Sequence, residues 1–239
     1  LYKGFGWDPL FYGAIIFLFL TEVKGIAPAK VMYAESIYSF FLLLLQIPAT
    51  ILIEKIGNKK ALILGTAFAT IQITMMIFIN DFIYLIIAYF MSAFGNAIKN
   101  IARNTLLYES TKKCKGKNSY GNINARGSAL SYILSATSSI TTGYLYVINP
   151  YIPLILSSFI SLLATIIACR FEEVESDKKE NANISKSMKD IKQGFKFIFK
   201  SKRLKALFLF TSIFVGVLMM ISTYEKSLLA ELQLKPQYI

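Results

Sequence analysis

The sequence has 239 residues, 55% of them hydrophobic, and a net charge of +12. A soluble domain of this length has too little interior to hide so much apolar side chain. The Lys and Arg lie in a few segments between long apolar runs, which excludes a nucleic-acid reader with one solvated basic face. With no histidine and only Cys114 and Cys169, a disulfide framework or a histidine-based metal or catalytic site has no material, so no cofactor is expected.

Seven segments meet or approach the roughly 20 apolar residues that cross a hydrocarbon core. The pattern predicts spans over Phe5–Thr21, Val31–Ile53, Ala61–Ile79, Phe82–Leu107, Ile123–Ile148, Tyr151–Cys169 and Leu204–Tyr224. The chain starts at Leu1, already hydrophobic, and stops in mid-pattern at Ile239, so it reads as a piece of a longer protein. The fold class expected is an all-α, polytopic membrane protein.

The connectors alternate in charge. Glu54–Lys60, Tyr108–Asn122 and Arg170–Arg203 carry most of the Lys and Arg, whereas Glu22–Lys30, Asn80–Asp81 and Asn149–Pro150 carry only Lys24 and Lys30. The positive-inside rule puts the basic set, and the N-terminus with it, in the cytoplasm of a cell whose plasma membrane holds the chain. Both cysteines then lie near that face, where thiols stay reduced.

Residues 171–203 break the composition. A polar, charged stretch is followed by Ile184, Met188, Ile191, Phe195, Ile198 and Phe199 at helical steps, with Lys on the other face. Such a basic amphipathic helix lies in the headgroup plane. Three regions follow: a six-helix bundle over 1–170, a cytoplasmic linker over 171–203, and the first helix and loop of a second bundle over 204–239. A short echo between Lys24–Val31 and Gln233–Ile239, each with Pro-x-x-aliphatic, fits a parallel repeat.

The loop between the second and third spans reads Ala49-Thr-Ile-Leu-Ile-Glu54-Lys55-Ile-Gly57-Asn58-Lys59-Lys60. It resembles the signature G-x-L-a-D-r-x-G-r-k-x of the major facilitator superfamily, in the loop where that family carries it. Glu54 stands at the acidic position, Lys55 at the basic one, Gly57 at the turn and Lys59 and Lys60 at the basic end; Ala49 replaces the leading Gly and Asn58 one basic residue. The resemblance implies a six-helix bundle with helices 1 and 4 lining a central cavity, and a loop that gates rather than touches substrate. Two other family patterns are absent: no Arg precedes Gly95 in the fourth span, and Ser138–Gly143 in the fifth holds no Pro.

Polar groups inside a bilayer are costly and face a cavity or a partner helix. A rise of about 1.5 Å per residue places Asp8, Gln46 and Asn96 in one layer, about 21–23 Å from the outer ends of their helices. Asp8 is read as the one carboxylate within a span, a candidate for proton coupling or a cationic substrate. Equally, with Lys3 and Trp7 beside it, it can mark the end of the first helix. Asn96, Lys99, Asn100 and Arg103 form one stripe, whose basic members can snorkel, Arg103 above all. Arg126 is a candidate partner for Asp8. The hydroxyls Ser128, Ser131, Ser135, Ser138 or Ser139, and Thr142 read as a packing face ahead of substrate contact, and Phe11, Tyr12, Tyr89 and Tyr144 as packing or interface anchors.

The function expected is a secondary transporter working by alternating access, its partners the lipid bilayer, a small solute and a coupling proton or cation, in a monomer without nucleic acid. It is not expected to be an enzyme. A non-transporting membrane sensor or scaffold remains the alternative from another class, and a membrane-embedded enzyme would need a catalytic cluster at one depth.

Overall fold

The computed structural model describes residues 2, 6, 10–113, 120–173, 193–194, 196–197 and 199–231. Among them there is no strand. They fall into two units, one up to 173 and one from 193 onward.

The first unit begins with α1, an α-helix Tyr12–Leu18 that continues as a π turn Phe19–Val23. The expected first span, Phe5–Thr21, is corrected here: Leu10 and Phe11 form a turn, and Phe11 takes a left-handed backbone, φ 69°. Pro9 precedes the turn and cannot donate the amide hydrogen that a continuous helix requires. The Leu10 carbonyl released at the break accepts a hydrogen bond from the Ser157 hydroxyl, which is fully buried. Asp8 lies outside the described residues, and the turn removes the helical ruler that set its depth.

The next helices are α2 Pro28–Ile56, α3 Asn58–Phe78, α4 Phe82–Lys113, α5 Tyr120–Ile148 and α6 Ile152–Cys169. Their ends follow local chemistry. Pro28 and Pro153 stand in first turns, where a missing N–H costs nothing. Gly57, at φ 89° and ψ 159°, separates α2 from α3 in a conformation essentially closed to other residues. The Asn149 side chain accepts from the Tyr151 amide (2.9 Å) between α5 and α6.

Four of these helices, α2, α3, α4 and α6, are long and apolar enough to cross a membrane by length and composition. α5 has the length but is rich in Ser and Thr. Its Ser131, Ser138 and Thr142 are buried, and the last two donate to backbone carbonyls of their own helix, whereas Ser128 and Ser135 are half-buried and Ser139 is exposed.

The most extensive contacts are α3 on α4, α2 on α4 and α3 on α6. α3 and α4 cross at Gly65 and Gly95. A Cβ at Gly65 would stand 2.8 Å from the Gly95 carbonyl oxygen and 2.8 Å from the Lys99 amide nitrogen. Toward the lysine-rich end, Ala49, Ile53, Ala61, Leu62, Ala97, Ile98, Ala102, Leu106 and Ala168 form one core. Hydroxyls bridge α3 to α6: Thr70 meets Ser161 at 2.8 Å and Thr74 meets Ser158 at 2.7 Å.

The second unit contains α7, Lys202–Glu231. Every side chain from 202 to 218 is exposed, Leu207, Phe210 and Phe214 included. Apolar on every side, this helix calls for lipid or helical neighbours. Of the expected amphipathic helix, Ile184, Met188, Ile191, Phe195 and Ile198 lie outside the described residues.

Candidate functional site

α4 carries a polar stripe at alternating steps of three and four: Tyr89, Ser92, Asn96, Lys99 and Arg103. That spacing keeps all five on one face over about 21 Å of helix. Tyr89, Ser92, Lys99 and Arg103 are buried and Asn96 is half-buried, so the face points into the unit. The snorkelling expected of Arg103 is thereby corrected: its side chain is only 6% exposed, and Lys99 5%. Arg103 donates from Nη2 to the Asn100 Oδ1 (3.4 Å). It also lies beside the Tyr2 phenol, which burial pushes up from its ordinary pKa while the guanidinium opposes the rise.

At the other end of the stripe, four helices converge. The Asn96 amide nitrogen donates to the Tyr38 hydroxyl (3.2 Å) and to the Ser92 hydroxyl (3.3 Å). Gln72, buried on α3, donates to the Tyr12 hydroxyl of α1 at 3.0 Å. The Tyr38 and Tyr89 rings lie 5.8 Å apart, tilted at 49°. Glu35, half-buried, precedes Tyr38 by about one turn of α2.

Glu35 is the residue that reading the sequence missed, and the view of Asp8 as the one carboxylate within a span is corrected by it. It lies seven residues into α2, about 10 Å from the helix end. A carboxylate inside an apolar run, between Tyr33 and Tyr38, was the available signal. Asn96 faces inward, but Gln46 is exposed on α2, Asn100 is exposed on α4 and Arg126 is exposed on α5. Tyr144 is 57% exposed, unlike Tyr12 and Tyr89, which join the polar group.

The loop after α2 is a second arrangement. Glu54, Lys55 and Lys60 are exposed, Lys59 is half-buried and Asn58 is buried. The Lys59 amide donates to Glu173 Oε2 at 2.9 Å, which sets a carboxylate on the N-terminus of α3. A Cβ at Gly57 would meet the same carboxylate at 3.0 Å. At the opposite end, Lys24 donates from Nζ to the Ile77 carbonyl (2.7 Å), capping α3, and lies 5.5 Å from the centroids of the Phe19 and Tyr151 rings. This lysine, an exception to the charge asymmetry, thus has a structural use.

The sequence matches the profile of the Major Facilitator Superfamily over residues 4–233. The chain belongs to that superfamily. It is also similar to YxaM of Bacillus subtilis (strain 168), described as an uncharacterized MFS-type transporter, at 26% identity over 164 residues. That match covers 67% of this chain and 40% of the relative, so the chain spans well under two thirds of the curated protein it matches. As a member of the Major Facilitator Superfamily it is an all-α polytopic membrane protein. In that setting the α4 stripe is polar surface held inside the bundle, and the exposed apolar sides of α2, α5 and α6 call for lipid or further helices as neighbours.

Proposed function

We propose that this chain is the first six-helix bundle (1–170), the cytoplasmic linker (171–203) and the first helix of a second bundle (204–239) of a secondary transporter. The whole protein works by alternating access, rocking its two bundles about a site near the midplane. It moves a small solute, driven by the gradient of a proton or other cation, as a monomer in the plasma membrane. The N-terminus and the linker are cytoplasmic.

The observation that carries this reading is the buried stripe from Tyr89 to Arg103. Lys99 and Arg103 lie toward the lysine-rich end of α4, and ionisable side chains kept buried on one inward face of a spanning helix mark a path rather than packing. Asn96 and Lys99 are the candidate residues on that inward path, and Asp8 is proposed to join them; Gln46, Asn100 and Arg126, exposed on this chain, would meet the solute only on the side toward the second bundle. Glu54 to Lys60 form the gate. Their exposed charges on a glycine turn can pair with and release a facing bundle without reaching the solute path.

The test is solute-dependent proton movement in inverted vesicles containing the full-length protein that carries this chain, wild type against Asp8→Asn. Proton movement that is lost in the variant is the expected result and assigns coupling to the first helix. Unchanged movement leaves a transporter in which Asp8 only ends that helix. A flat uptake and efflux profile in wild type favours a sensor or scaffold.

A further inference from the structure

We infer that the junction between the linker and α7, residues 196–205, is a binding surface for anionic phospholipid headgroups. The inference needs only a membrane around the chain and stands apart from the transporter reading. It also goes beyond a helix lying in the headgroup plane. Any bilayer would hold such a helix, whereas this surface selects lipids with a net negative charge.

The charge is set by the sequence. No carboxylate side chain stands between Asp190 and Glu225, while Lys192, Lys196, Lys200, Lys202, Arg203 and Lys205 crowd the first part of that stretch. The last five are exposed. Lys196 and Lys200 are four residues apart and Lys202 and Lys205 three, so each pair shares a helix face, where like charges repel. An anion outside the chain relieves that repulsion.

The structure gathers these cations locally. Gln193, Gly194, Lys196, Phe197, Phe199 and Lys200 are helical, Ser201 interrupts, and α7 begins at Lys202. Ser201 shapes the corner: its carbonyl accepts from the Lys205 amide (2.9 Å) and its hydroxyl from the Leu204 amide (3.4 Å). Across the corner, the Lys205 ammonium lies 5.8 Å from the centroid of the Phe199 ring. That contact ties the first turn of α7 to the residues before Ser201, so both sets of cations belong to one surface.

Depth selects lipid over a soluble polyanion. From Leu204 onward α7 is an apolar helix whose Leu207, Phe208 and Phe210 are exposed. At about 1.5 Å per residue, Lys202 and Arg203 stand within about 8 Å of Leu207 along the axis. Cations so close to apolar surface of a spanning helix lie at the level of lipid phosphates. Phe197 and Phe199, both exposed, add rings suited to the boundary between headgroups and acyl chains. The Arg203 guanidinium can hold two oxygens of one phosphodiester, while the lysines act as point charges.

The experiment is competitive lipid retention by the full-length protein in mixed micelles of phosphatidylglycerol and phosphatidylcholine, read by native mass spectrometry. Wild type is expected to retain phosphatidylglycerol preferentially. Lys202→Gln with Arg203→Gln should reduce that preference roughly tenfold or more, each cation near an anionic surface counting for about fivefold. Lys112→Gln with Lys113→Gln removes the same charge from the end of α4 and should change it less than twofold. Exchanging the two residues, Lys202→Arg with Arg203→Lys, keeps the charge and should keep the preference. Thermal melts supply the control for folding: the glutamine pair should match wild type in phosphatidylcholine and lack the rise that phosphatidylglycerol gives wild type. Equal retention of the two lipids by wild type overturns the surface. So does an equal loss in the Lys112 and Lys113 variant, which would reduce the effect to overall charge, or displacement of the lipid by free glycerol phosphate, which would mark a soluble-anion site.

Discussion

Gly65 illustrates how little space one residue leaves in this fold. A methyl group there would press on backbone, the Gly95 carbonyl and the Lys99 amide, and backbone cannot rotate aside as a side chain can. Gly65→Ala therefore forces α3 and α4 apart, at an expected cost of about 1–3 kcal/mol. A thermal melt of the full-length protein should show a lowered midpoint. At Gly216, on α7, an added Cβ would meet nothing within 4 Å in this chain. Both glycines were visible in the sequence, but nothing in it distinguished the crowded one from the open one. Glu35, half-buried on α2, was similarly visible and passed over, because a carboxylate near a helix end is commonly a rim residue.

At the scale of elements, helix existence was legible and helix continuity was not. α2 to α6 stand within a few residues of their expected bounds. The first span differs because Pro9 interrupts it, and the freed Leu10 carbonyl is accommodated only because Ser157 of α6 arrives opposite it. The loop between α2 and α3 was placed correctly from Gly57, while the carboxylate that tops α3 comes from Glu173, 114 residues further on in the chain. Losing a carboxylate cap costs about 0.5–2 kcal/mol, felt first in the adjoining turn. Hydrogen exchange at Lys59 to Ala61 should accordingly accelerate in Glu173→Ala, and less so in Glu173→Gln, which keeps an acceptor. Equal protection in all three proteins would remove Glu173 as the cap.

For the molecule as a whole, orientation rests on charge. Cys169 ends α6 beside the basic segment and is exposed. In a Cys114→Ser background, a membrane-impermeant maleimide should label Cys169 in inverted vesicles and not in intact cells. The opposite pattern would invert the topology and place the lysine-rich loops outside.

The sequence by itself determined that the chain lies in a membrane, how many apolar runs it has, which loops are basic and where Gly57 must turn. These follow from composition, run length and local backbone sterics, which need no partner. Only the tertiary structure decided which side of each helix faces inward. In a helix that is apolar toward lipid and toward its neighbours alike, hydrophobic periodicity carries little information about rotation. Close contacts such as Gly65 on Gly95 set that rotation instead. They bring Gln72 to Tyr12 and Asn96 and Tyr89 to Tyr38, from four helices, and leave Gln46, Asn100 and Arg126 exposed.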